Sequence, residues 1–144
     1  MTANPPSRVD YWRGQPPMVA GVLMALAAAT FVIVSVVHFG VDIPIGFATI
    51  SDPFSGAAVP EAVIGAVMAI GATAVLTRRT RSRGIALGTT SFALLGTGFG
   101  LTITLSSART GDVAYHLSIL VTLLVILALL LVPSRSDAWR RRAV

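Results

Sequence analysis

The chain has 144 residues, of which 54% are apolar and only 12% charged, against roughly one in four charged in a soluble domain. The apolar residues fall in four long blocks, which excludes a soluble enzyme, and the low charge excludes a disordered chain. The net charge of +5 does not point to nucleic acid, because the arginines flank apolar blocks and few aromatics are interleaved with them.

In chain order, residues 1–16 form an N-terminal arm whose Tyr11 and Trp12 suit a headgroup layer. The first block runs from Met18 to Phe39 and spans about 33 Å as a helix, enough for a bilayer core. It exceeds the apolar core of a cleavable signal peptide, so it reads as a retained helix. The second block runs from about Ala57 to Thr77 and the third from Gly84 to Leu105. The fourth runs from Val113 to Val132, where Pro133 stops it ahead of an Arg-rich tail, 133–144. None alternates in polarity as a transmembrane strand would. The fold class is therefore all-α: an integral membrane four-helix bundle.

Orientation comes from arginine. All 11 basic residues are Arg, and all but Arg109 flank one side: Arg8, Arg13, Arg78, Arg79, Arg81, Arg83, Arg135, Arg140, Arg141 and Arg142. Basic loops stay inside, which predicts an up-down-up-down chain with both termini cytoplasmic. Arg140, Arg141 and Arg142 are also candidates for anionic lipid headgroups. The absence of cysteine removes thiol chemistry.

Small residues mark the faces where helices meet in lipid. The third block carries Gly84, Gly88, Gly96, Gly98 and Gly100 and is expected at the centre of the bundle. The Leu-rich fourth is expected to face lipid or a partner subunit. The Gly-rich run is no phosphate loop, since it lacks lysine and a preceding strand.

The residues able to do chemistry gather at the predicted outer end: His38, Asp42, Glu61, Asp112, Tyr115 and His116. His38 and His116 each have an aspartate four residues away, one helical turn, so an imidazole–carboxylate pair is expected within each segment if the helix continues. Structural explanations stand beside this. Asp112 reads as an N-cap, Glu61 as a first-turn acid after Pro60, His38 as a C-terminal cation and Tyr115 as an interface anchor. Ionisable groups within a span nevertheless usually face the bundle interior or a cavity. The connection from Gly40 to Gly56 is too apolar for a free loop and is expected to fold over the bundle as a lid.

His38-Phe39-Gly40, Val59-Pro60-Glu61 and Asp112-Val113-Ala114-Tyr115-His116 resemble a pattern in small four-helix membrane proteins of high-GC bacteria, similar in size and topology to DoxX-like proteins. The resemblance implies a four-helix fold and a multi-pass place in the bacterial inner membrane, and carries no catalytic role.

Three functions compete. The first is an accessory or assembly subunit in contact with the bilayer and with other membrane subunits or copies of itself. The second is an outer site in which His38 and His116, with Glu61, hold a divalent metal, or in which the two histidines are axial ligands of a haem. The third is a membrane enzyme acting on a lipid-like substrate, with His38, Glu61 and His116 moving protons.

Overall fold

The computed structural model describes residues 15–79, 81–106 and 110–132. The arm with Tyr11 and Trp12, Arg109, Pro133 and the tail with Arg140, Arg141 and Arg142 lie outside the described residues.

Four helices account for nearly all of the described chain: α1 (Gln15–His38), α2 (Ser55–Leu76), α3 (Ser82–Ser106) and α4 (Thr110–Leu131). All four are long and apolar enough to cross a membrane. Each packs on the next, and α4 packs back on α1, so the four close into a bundle.

The buried positions recur at helical spacing, which is why each helix presents one stripe inward. In α1 the stripe includes Ala20, Met24, Ala27, Phe31, Ser35 and His38; in α4 it is Asp112, His116, Ile119, Leu123, Ile126 and Leu130. Met24, Phe31, Met68, Leu123 and Ile126 are the large side chains at its centre. Close approach depends on glycine: a Cβ on Gly71 of α2 would strike Thr89 and Met24.

One expectation about packing needs correction. Only 22% of the apolar window of α3 is buried, against 44% for α2, so α3 is not the central helix. Gly84, Gly88 and Gly98 would each meet nothing within 4 Å with a Cβ added, which leaves them on its open side. As expected, α4 leaves Leu117, Val121 and Leu124 on an exposed apolar face, and it buries one stripe in the bundle.

α1 stops at His38 through a backbone turn. Gly40 takes φ +89°, its N–H donates to the Val37 carbonyl at 2.9 Å, and the Val41 N–H donates to Val36 at 3.2 Å. This paired closure around a left-handed glycine satisfies the last carbonyls without any side chain. α2 closes in the same way, with Arg78 in the left-handed position at φ +56° and the Arg79 N–H donating to Ala74 at 3.2 Å.

The connection after α1 holds a small antiparallel hairpin, β1 (Ile43–Ile45) and β2 (Ala48–Ile50), with Ile45 opposite Ala48. Gly46, at φ +58°, opens the two-residue turn as such hairpins require. β2 is exposed throughout and Phe47 is fully exposed, so the hairpin does not cover the bundle as a lid. What returns to the helices is the segment just after it: the Phe54 N–H donates to the His38 carbonyl at 3.0 Å, and the Phe54 ring meets His38 edge-on at 5.8 Å.

Candidate functional site

α1 and α2 are joined by side-chain hydrogen bonds one turn apart. The Ser35 hydroxyl donates to the Ala58 carbonyl at 2.7 Å, and His38 Nδ1–H donates to Glu61 Oε2 at 2.7 Å. Ser35, His38 and Glu61 are all buried. A short hydrogen bond between two buried groups fixes the imidazole plane and leaves its Nε2 directed elsewhere. That nitrogen lies 3.8 Å from Asp52 Oδ2, brought back by the chain after β2.

Asp112, in the first turn of α4, completes the group. A ring nitrogen of His38 and one carboxylate oxygen each from Asp52 and Asp112 all lie within 4.8 Å of one another. Three elements thus converge: the end of α1, the connection, and the start of α4. Asp112 is buried, and as the third residue of a helix beginning at Thr110 it sits inside the first turn rather than capping at its edge.

The same-helix pairs expected from spacing do not form. Because α1 ends at His38, Asp42 falls beyond the helix and is exposed. His116 Nδ1–H donates to the backbone carbonyl of Asp112 at 2.7 Å and not to its carboxylate. A carbonyl can only accept, so Nδ1 carries a proton and Nε2 is the nitrogen left for another partner. Glu61 is not a first-turn acid either. α2 begins at Ser55, which places Pro60 inside the helix and Glu61 in its second turn, where its charge faces His38. Tyr115 is not an interface anchor: it meets Phe31 edge-on at 6.4 Å and His116 at 5.2 Å, and packs against the core.

Beside this cluster lies a cavity of about 190 Å³, between α1, α2, α3 and the start of α4. Its walls are mostly apolar, with Phe31, Phe54 and Ile64 among them; Glu61, Thr97 and His116 bring polar groups to it. A volume below the ~300 Å³ where drug-sized pockets begin does not admit a haem.

No family model, curated protein or solved structure matches this chain. The site is therefore read from its own geometry.

Of the expected site residues, the structure brings His38, Glu61 and Asp112 together, sets His116 and Tyr115 beside them, and leaves Asp42 outside. Ser35, Asp52 and Thr97 were not among the candidates. Asp52 had a signal in its position before Pro53, in a connection already too apolar to be a free loop; Ser35 and Thr97 look in sequence like ordinary small residues of a span.

Proposed function

We propose that this chain is a multi-pass protein of the bacterial inner membrane, up-down-up-down with both termini cytoplasmic, that holds a divalent metal ion at its outer end. The arginine distribution supports the orientation. One observation carries the metal reading: His38 has its Nδ1–H fixed by buried Glu61, with Asp52 and Asp112 gathered within 4.8 Å of the imidazole. Histidine ligands usually donate their other ring N–H to a carboxylate, which sets the tautomer and raises the basicity of the ligating nitrogen. Glu61 is placed for that role, a change from its sequence reading as a ligand.

One imidazole and two carboxylates suit zinc, manganese or ferrous iron. Bonds of 2.0–2.2 Å hold ligand atoms about 3–3.5 Å apart, so the group closes by roughly 1 Å when loaded. Asp52, whose side chain is 42% exposed, lies on the connecting segment and not on a helix. Metal analysis of EDTA-treated chain after exposure to Zn²⁺ or Mn²⁺ tests this. One ion per chain is expected, lost in His38→Ala and in Asp112→Asn, weakened about 10- to 100-fold in Glu61→Gln, and retained in Asp42→Asn. Binding indifferent to His38 and Asp112 refutes it.

A second reading, an accessory or assembly subunit of a larger membrane complex, is favoured by the open side of α3. Gly84 and Gly88 stand four residues apart with nothing opposite them among the described residues, and Phe92 and Leu95 on the same helix are exposed. Small residues at that spacing let another helix approach closely. Native purification tests it: migration of the chain alone, without a stable partner or second copy, counts against it.

A further inference from the structure

Glu61 faces two ways. Its Oε2 accepts from His38, while its Oε1 has no hydrogen-bond partner among the described residues, although the residue is only 4% exposed. Thr97 of α3 is 1% exposed and its hydroxyl is likewise without a partner. Both side chains line the 190 Å³ cavity, and so does His116, whose ring lies against Gly100, where a Cβ would come within 2.6 Å of Nε2.

The hydrogen-bonding character of this cavity is one-sided. Glu61 Oε1 and, in the neutral ring, His116 Nε2 can accept, and the Thr97 hydroxyl serves either way. Among the described residues no arginine lines the cavity, and the nearby acids Asp52 and Asp112 add negative potential. A buried acceptor left unpaired costs free energy, more so when it is charged, so the group that fits must donate and should be positive. The remaining wall is apolar, and Phe31, Phe54 and Phe99 contribute rings to it, a side-chain type that attracts cations.

We propose that this cavity binds a lipophilic organic ammonium, whose N–H groups donate to Glu61 Oε1 and His116 Nε2 while its apolar body packs among the phenylalanines. A cavity of ~150 Å³ is known to admit benzene, so 190 Å³ suits one ring with a short aminoalkyl arm. Phe99 and Ile103 line the cavity and are also exposed on α3, which offers amines dissolved in a bilayer a lateral approach. The site uses Glu61 Oε1, not the metal ligands, and the inference does not depend on a bound ion.

The test is calorimetric titration of the purified full-length chain in micelles with phenethylammonium, phenethyl alcohol and phenylacetate, run after EDTA treatment and again with Zn²⁺ present. Saturable binding of the ammonium is expected in both runs, with the alcohol at least about tenfold weaker and no binding of the anion. Glu61→Gln should bring ammonium and alcohol to similar affinity, Thr97→Val should weaken both, and Ala57→Phe, which fills the cavity from its wall, should abolish both. Asp42→Asn should change nothing. Should Glu61→Gln fail to fold, Thr97→Val and Ala57→Phe decide the matter. Equal binding of ammonium and alcohol by the unaltered chain overturns the proposal, and so does ammonium uptake that survives Ala57→Phe, which is partition into the micelle. Ammonium binding to the EDTA-treated chain separates this outcome from that of the metal reading.

Discussion

At one end of the bundle Arg83 of α3 donates from Nε to the Leu130 carbonyl at 3.0 Å and from Nη2 to Leu131 at 3.4 Å, closing the last turn of α4. At the other end α1 is closed by its own backbone around Gly40, and the ionisable side chains His38, Glu61, Asp52 and Asp112 turn toward one another. A helix leaves its last carbonyls unsatisfied, and something must meet them. Where an arginine does so, its charge is engaged in structure. Where a glycine turn does so, the histidine beside it is left available to bridge helices and present its second nitrogen.

The contrast predicts a graded set of losses, measured by thermal unfolding of the purified chain in micelles. His38→Ala should be the most costly, about 3–5 kcal/mol, because it leaves Glu61 buried without its partner. A loss below about 1 kcal/mol would make the two ends alike. Gly71→Val, between the ends, should cost about 1–3 kcal/mol as Thr89 and Met24 are displaced, and should leave metal and ammonium binding intact once folded. Arg83→Gln should cost only about 1 kcal/mol, the ordinary worth of a cap at a helix C-terminus. Arg78→Gly should stabilise, by up to about 1 kcal/mol, since it relieves an L-residue held at φ +56°. A destabilised Arg78→Gly would show that this arginine, too, makes a contact worth more than the strain.

The four spans were legible in the sequence because length and apolarity report directly on what a bilayer demands. So was the clustering of His38, Glu61 and Asp112, since the chain has only six acids and two histidines. Their pairing was not legible. Partners one turn apart on a single helix can be read from spacing, but Glu61 meets His38 across two helices, and that depends on a register that no local pattern encodes. Pro60 misled in a specific way. It is favoured at the first helical position, yet here it sits in the second turn of α2, shifting Glu61 from a helix-end role to an interior one. The central place expected for α3 failed because its glycines were counted without regard to face, and Gly84 and Gly88 point away from the bundle.

The left-handed turn at Gly40 has a consequence for how the site is encoded. With a residue that favours right-handed backbone at this position, α1 would tend to run on for another turn and bring Asp42 round beneath His38, the pairing that spacing alone suggests. Asp52 and the return of Phe54 to the His38 carbonyl would then have no place. The choice between two carboxylate sets for one imidazole therefore rests with a residue that has no side chain and contacts neither set, a position that truncating the ionisable residues one by one would never reveal.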